Sequence, residues 1–376
     1  MGVTMRLGID VTALPSELYG AGNYIVNLTQ TLIRTDPAND YFVFSKPQQA
    51  ELFAGRGHAQ VVRVNLPTRL LRIAWEQTLF PLLIRRYHLD LVHSPHYTAP
   101  VLTSCTQVVT FHDMTFFLHP EAHLLYKSVF FRSMIPVSAR RADSVIAISQ
   151  NTRKDILRLF PIDPAKVFTI PYGIASIFRP MPQEIQSQVL EKYGLPEQFV
   201  LYVGNLEPRK NLPLLLRAVS ALVQRGLPHA LVLAGSRGWM DEQVFATLRE
   251  LNLGHRVFLP GYIPQAELPA LYSAASLFLY VSLYEGFGLP VLEAMSCGVP
   301  VITSNVASMP EIVGSGGVLL DPTNESELTE AMSRVLMDEN LRTRLAREGL
   351  ERSHLFSWER AAQETLAVYE HSVRAR

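Results

Sequence analysis

The sequence predicts an α/β protein of two doubly wound, parallel-sheet (Rossmann-like) domains that face a cleft. Short continuous apolar runs alternate with helix-like segments, and this pattern stops at the proline-marked stretch Pro171 to Pro182 and then restarts. A chain of 376 residues is long enough for two domains of ordinary size. Continuous apolar strands belong to sheets covered on both faces. Such sheets place ligands outside the C-terminal ends of their strands. Repeating the architecture produces a cleft, a common place for a small-molecule site.

In chain order, Arg6–Val11 reads as the first strand, followed by a loop with Gly20-Ala-Gly22 and a helix from about Asn23 to Thr35. Two glycines before a helix can admit a phosphate, while the missing third glycine of a dinucleotide fingerprint argues against an NAD site; a flexible loop with a helix cap is the plainer alternative. Further strands are expected at 41–44, 60–64, 90–93, 107–111, 144–148 and 167–170, with helices at Trp75–Tyr87 and Tyr126–Arg141. Past a helix ending near Tyr193-Gly194, strands are expected at 199–203, 230–234, 257–259, 277–281, 301–303 and 318–320. Asn211 reads as a helix N-cap with Pro213 in the first turn, and Ser308-Met-Pro-Glu311 as a capping box. The last segment, Ala361–Arg374, is an amphipathic helix with Ala362, Leu366, Tyr369 and Val373 on one face, and Trp358 is expected to anchor an interface.

Composition narrows the function classes. Apolar residues make up 48% and charged residues 18%, and the formal net charge is zero, which argues against disorder and against a nucleic-acid partner. Residues 1–175 carry 17 basic and 12 acidic side chains, a mild excess that usually reflects solvated surface. Cys105 and Cys297 are far apart and read as buried thiols in a reduced compartment, with no zinc spacing. With no signal-peptide core near Met1–Leu7 and no run of about 18 apolar residues, a cytoplasmic location is expected, and peripheral contact with the inner membrane is compatible with it.

Chemistry-bearing residues gather at strand ends. The richest stretch is Ser282 to Gly298, in which a strand, a turn with Gly286 and Gly288 and a short helix opening at Pro290 carry Glu285 and, eight residues later, Glu293. Glycines in such a turn let a ligand approach backbone N–H groups at a helix N-terminus, which favours anions; a helix-dipole role for Glu285 is the structural alternative. The first strand of the second half runs into Gly204-Asn205, then Arg209-Lys210, two cations suited to a diphosphate. Tyr262 and Ile263 follow another strand and could offer main-chain groups to a base. In the first half, polar strand ends bring His96 and the His112-Asp113 pair, able to bind hydroxyls or move protons, although isolated histidines are more often structural.

Glu285-Gly-Phe-Gly-Leu-Pro with Glu293 resembles the donor-site motif of the retaining family 4 glycosyltransferases, which have the GT-B fold. The similarity extends over nearly the whole chain through Trp75-Glu-Gln with Pro81, His93-Ser-Pro-His-Tyr97, His112-Asp113, Gly204 to Asn211, Ser308-Met-Pro-Glu311 and Phe356-Ser-Trp358, and it is best with bacterial mannosyltransferases of surface polysaccharide assembly. The resemblance implies an acceptor-binding domain at 1–175, a nucleotide-sugar domain at 176–357 and a helix, 358–376, that rejoins the first. It gives Arg209 and Lys210 the leaving diphosphate, Glu285 the donor sugar, Glu293 the ribose hydroxyls, and the backbone of Gly286, Phe287, Gly288 and Leu289 the sugar. His112 would approach the sugar from the first domain and Gly22 would adjoin the phosphates, leaving His96 and Asp113 on the acceptor side. Many relatives carry Arg where Asn205 stands, so the phosphate contacts differ in detail, with Arg209 as the candidate replacement.

The implied reaction is transfer of a hexose, with mannose from GDP-mannose preferred, to a glycan or lipid-linked glycan with retention of configuration. No Asp-x-Asp pair is present, so no metal and no cofactor is expected, the two cations standing in for a metal. UDP- or ADP-sugars remain alternative donors. A sugar-nucleotide 2-epimerase, which needs no acceptor, and a non-catalytic nucleotide-sugar sensor are the rival readings.

Overall fold

Seven apolar runs of the first half join into one sheet in the computed structural model, which describes residues 4–15, 20–55, 57–236, 238 and 242–376. They are β1 (Arg6–Asp10), β2 (Asp40–Ser45), β3 (Ala59–Arg63), β4 (Leu91–Ser94), β5 (Thr106–Phe111), β6 (Ser144–Ala147) and β7 (Val167–Thr169). Their spatial order is β3-β2-β1-β4-β5-β6-β7, and every pairing is parallel. Chain order therefore reverses between β1 and β4. The second sheet contains β8 (Phe199–Val203), β9 (Ala230–Ala234), β10 (Val257–Gly261), β11 (Leu277–Tyr280), β12 (Val301–Ser304) and β13 (Val318–Leu320), in the order β10-β9-β8-β11-β12-β13. It too is wholly parallel, and its reversal lies between β8 and β11. Burial explains why these sequences read as continuous apolar runs: β5, β6, β9, β11 and β12 are buried at every position.

Two units result, Met1–Gly173 with Phe356–Arg376, and Ile174–Leu355. Of the opening stretch Met1–Leu7, residues 1–3 lie outside the described residues. In the first unit, Val109, Phe111, Ile135, Val145 and Ile156 belong to one apolar cluster, while Phe44, Trp75, Phe80 and Ile84 belong to another. No helix among the described residues is long and apolar enough to cross a membrane.

Several helices differ from expectation. The segment expected as one helix, Trp75–Tyr87, is two, Arg69–Gln77 and Leu79–Arg86, because Pro81 has no N–H for the Gln77 carbonyl and its ring would crowd that carbonyl. The helix expected from Asn23 begins at Ala21, so Gly22 lies in its first turn. Asn211 precedes Leu212–Gln224 in a left-handed conformation and does not cap it with its side chain; the amide instead donates to the Pro322 carbonyl at 2.6 Å. Pro290 occupies the second rather than the first position of the helix Leu289–Ser296.

The final helix runs from Trp358 to Ala375, with the Ser357 hydroxyl accepting from the Arg360 N–H. Its buried face is Trp358, Ala361, Ala362, Thr365, Val368, Tyr369 and Ser372, so Leu366 and Val373 sit at its margin rather than at its centre. Tyr369 places its hydroxyl 2.6 Å from His93 Nδ1, and Ser372 bonds Ser144 at 2.7 Å. Trp358 packs by Tyr24 and Tyr172, ring centroids 6.0 Å from each. The backbone at Ser357–Trp358 passes directly over Gly173, where a Cβ would lie 2.2 Å from the Trp358 nitrogen. Only glycine allows that approach.

Candidate active site

A cluster of buried charges occupies the switch point of the second sheet, where a doubly wound fold places its ligand. The strand β8 is followed by Gly204, whose N–H donates to the Ala234 carbonyl at 2.9 Å, and the chain then forms the short 3₁₀ turn Pro208–Lys210. The neighbouring strand β11 leads into Val281–Gly288. Leu283 N–H donates to the Arg209 carbonyl at 2.9 Å and ties the two strand ends together. Lys210 donates to Glu285 Oε1 at 2.7 Å and to the Tyr280 hydroxyl at 2.5 Å. Arg209 reaches Glu285 Oε2 at 2.8 Å, Glu207 at 2.7 Å and the Tyr284 carbonyl at 2.5 Å. Two carboxylates thus balance two cations.

Electrostatics in this cluster follow from burial and pairing. Burial alone would raise the Glu285 carboxyl, but Arg209 and Lys210 outweigh it and hold it at about 2. Arg209 stays charged because Glu285 and Glu207 overcome its desolvation. Lys210 is lowered, first by burial and then by Arg209, against the pull of both carboxylates. Buried ion pairs seldom repay their desolvation as stability. Their position at a strand end makes binding or catalysis the better explanation.

Gly286, Phe287, Gly288 and Leu289 form the buried turn that joins β11 to the helix Leu289–Ser296. Gly288 has φ +108° and faces the Met309 side chain, so that a Cβ would come 2.3 Å from Met309 Cε. Ser308 does not make the expected capping box: it offers no side-chain bond to its own helix. Its hydroxyl lies 3.0 Å from the Glu285 carbonyl and 2.7 Å from that of Phe287, so it pins the turn instead. Glu293 is buried on the helix and accepts from the Tyr272 hydroxyl at 2.9 Å. Burial pushes its carboxyl up to about 7, only partly offset by that bond. Asn205 is exposed just past β8, and its carbonyl accepts from the Tyr202 hydroxyl at 3.0 Å. Tyr262, exposed, and Ile263, buried, follow β10, which β9 separates from β8.

The sequence readings of Arg209, Lys210 and Glu285 meet here in one constellation, whereas Glu293 is bonded elsewhere. Glu207 and Tyr280 were missed. Tyr280 sits in an apolar strand and reads as an ordinary β-former, but Glu207, three residues before Lys210, could have been found by asking what pairs with the two cations.

In the first unit the switch point between β1 and β4 holds a cavity of about 500 Å³. Thr12 to Pro15, just past β1, line it together with Ala21 and Gly22 from the following helix, and His96 and Tyr97 past β4. His96 Nδ1 is buried and has no hydrogen-bond partner among the described residues. His112, beyond β5, is buried and held at both nitrogens: Nε2 lies 2.8 Å from the Pro95 carbonyl and Nδ1 2.5 Å from the Tyr172 hydroxyl. A carbonyl can only accept, so Nε2 carries the proton and Nδ1 accepts from Tyr172. Burial lowers this imidazole to about 4, which keeps it neutral. Asp113 accepts from the Thr115 N–H at 2.9 Å and its hydroxyl at 2.6 Å. Among the described residues no three His, Cys, Asp or Glu side chains form a group that could hold a metal.

Two doubly wound parallel sheets with an Arg-Lys-Glu cluster at a switch point define a class of α/β protein that binds its ligand at the strand ends, and similarity to known proteins specifies which one. The model "Glycosyltransferase Family 4" matches residues 19–176, and "Glycosyl transferases group 1" matches 184–352. The chain is 35% identical to O-antigen chain mannosyltransferase B of Escherichia coli over 76% of its own length and 75% of that protein's. It is 32% identical to the serotype-specific mannosyltransferase WbdA of the same species over 59% of its length, and spans only 28% of that longer relative. Among solved structures it resembles a sucrose-phosphate synthase from Thermosynechococcus elongatus, at TM-score 0.80, 23% identity and coverage of 99% and 100% of the two chains. Anabaena HepE in complex with UDP and glucose matches at TM-score 0.77 and 18% identity, covering 98% of this chain and 100% of that one. The chain belongs to the family 4 glycosyltransferases and has the GT-B fold.

Proposed function

We propose that the protein transfers mannose from GDP-mannose to a hydroxyl of a glycan or lipid-linked glycan, with retention of anomeric configuration and without a metal ion. The observation that carries this reading is the Arg209-Lys210-Glu285 cluster at the β8–β11 switch point. Mannose as the sugar draws support from the similarity to two mannosyltransferases of Escherichia coli. The reaction is placed in the cytoplasm, with peripheral membrane contact where the acceptor is lipid-linked.

In this reading the acceptor oxygen bonds to the anomeric carbon on the face from which the diphosphate departs. The bond from that carbon to the phosphate oxygen breaks, and its electron pair leaves with the nucleoside diphosphate. The acceptor's hydroxyl proton passes to the departing phosphate oxygen. Arg209 and Lys210 stabilise the charge that grows there. Glu285 pairs with both cations. The incoming diphosphate therefore shares them with Glu285, which frees carboxylate lone pairs for the sugar. Glu293 receives the ribose hydroxyls, the turn from Gly286 to Leu289 meets the sugar, and Gly22 adjoins the phosphates. His112, neutral with its tautomer fixed, contributes a polarised polar edge rather than a general base.

The test is a panel of GDP-, UDP- and ADP-sugars with alkyl-mannoside and lipid-linked acceptors, with and without chelator, followed by mass and anomeric analysis of the products. The reading expects acceptor-dependent release of GDP, a product with the donor's anomeric configuration, and no loss with chelator. Epimerised sugar formed without acceptor would instead establish the epimerase, and consumption of only UDP- or ADP-sugars would replace the donor.

A further inference from the structure

At the β8–β11 switch point the charges of Arg209 and Lys210 are already matched by Glu285 and Glu207. A diphosphate added to a neutral cluster brings negative charge that nothing there offsets, and in a largely buried site such charge is costly. One of the two carboxylates has to give way, and they are not equivalent. Glu285 uses both oxygens, Oε1 on Lys210 at 2.7 Å and Oε2 on Arg209 at 2.8 Å, and its side chain is 10% exposed. Glu207 engages the cations through Oε1 alone, 2.7 Å from Arg209 and 3.9 Å from Lys210, and its side chain is 22% exposed. The weaker hold and the route to water both belong to Glu207.

The fork of Arg209 is divided in the same way. Its Nη1 is held by Glu285 and by the Tyr284 carbonyl, whereas Nη2 serves Glu207. Withdrawal of Glu207 leaves the guanidinium pointing as before and uncovers one N–H arm, which suits a phosphate oxygen. The main chain at Glu207 need not move: Leu206 N–H donates to the Ser236 carbonyl at 3.2 Å and Lys210 N–H to the Glu207 carbonyl at 3.0 Å. Only the side chain turns, toward the solvent that it already touches, and such rotamer changes are fast.

We propose that Glu207 is a displaceable counter-anion: the donor's diphosphate takes its place on Arg209 Nη2, and its return drives the nucleoside diphosphate product out. This inference rests on the sugar-transfer reading, which it deepens by assigning product release to a residue. Once the proton taken from the acceptor has passed on to water, the product carries one more negative charge than the donor's diphosphate, so a carboxylate beside Arg209 opposes product more than donor. Glu207→Gln keeps an acceptor oxygen for Arg209 and removes the charge, while Glu207→Asp keeps the charge and shortens the reach. The full-length wild type and both variants, each checked for cooperative melting, are titrated calorimetrically with GDP, UDP and ADP, and the nucleotide that wild type binds best then serves as product inhibitor.

The proposal expects Glu207→Gln to bind that nucleotide about 10-fold tighter than wild type, with the product's inhibition constant falling by more than the donor's KM, and Glu207→Asp to stay within about 2-fold of wild type. A residue that merely supports Arg209 would give the opposite sign, so weaker or unchanged binding in Glu207→Gln overturns the proposal. Equal tightening in Glu207→Asp traces the effect to geometry rather than charge and overturns it too. Both of those failures leave the sugar-transfer reading standing. A wild type that binds none of the three nucleotides removes that reading, and this inference with it.

Discussion

Replacing Glu293 by Gln removes a charge that its surroundings disfavour while preserving the acceptor for the Tyr272 hydroxyl. The native carboxyl titrates at about 7, against an ordinary value of 4.5. Between those pH values the native state holds a proton that the unfolded chain has released, so stability is highest below 4.5 and falls as pH rises through 7. The difference corresponds to about 3 kcal/mol, since each pH unit of separation is worth about 1.4 kcal/mol. For a domain of this size that is on the order of 6–10 °C in the melting midpoint. Wild type and Glu293→Gln are to be melted across pH 4.5 to 8.5. The midpoints should lie close together at acid pH and separate as pH rises, with the variant the more stable at pH 8. Parallel profiles would show that Glu293 is already ionised, and the burial argument would fail. The proposed ribose contact adds a second signature, because hydroxyls donate best to the ionised carboxylate: donor affinity rises through pH 7 in wild type and becomes flat in the variant.

Further outcomes follow from the same cluster and from two tight approaches. Glu285→Gln leaves Arg209 and Lys210 buried with one partner fewer; chemical denaturation should register a loss of about 3–5 kcal/mol, and turnover should fall. Because Glu285 is held at about 2, the wild-type stabilisation persists above 4.5 and disappears only as pH falls toward 2, a slope that acid titration of the variant should lack. Gly288→Ala meets both the positive φ and Met309 Cε, so thermal melts should show a cost of roughly 2–4 kcal/mol; adding Met309→Ala should relieve only the steric part. Gly173→Ala pushes against the Trp358 backbone, and limited proteolysis should cut the final helix far faster than in wild type.

Strands were the most legible part of the fold, since the inner ones, such as β6, β9, β11 and β12, are short apolar runs buried at every position, and a ladder buried on both faces leaves no room for a polar alternation to confuse the reading. Helix ends were less so. The run from Trp75 to Tyr87 is apolar on one face throughout, and its break is a backbone effect of one proline, four residues after the carbonyl it deprives of a partner. Ser308 shows the limit of local motifs: Ser-Met-Pro-Glu satisfies the spacing of a capping box, yet the hydroxyl finds carbonyls 21 and 23 residues away in sequence. Asn211 likewise serves a distant carbonyl, that of Pro322. At the site, the glycine-rich turn and the Arg-Lys pair were visible as types in a pattern. Which acid neutralises which cation was not, because that depends on β8 and β11 being neighbours despite the 73 residues that lie between Val203 and Leu277 in the chain.

The central claim is that Arg209 and Lys210, poised on Glu285, stabilise a departing diphosphate. Measuring kcat/KM of Lys210→Ala with the donor that wild type uses tests it most directly. Loss of a buried charge aimed at the leaving group predicts a decrease of about 10²–10³, carried by kcat more than by KM, in a protein that still melts cooperatively. A folded Lys210→Ala enzyme with wild-type kcat/KM would contradict the account.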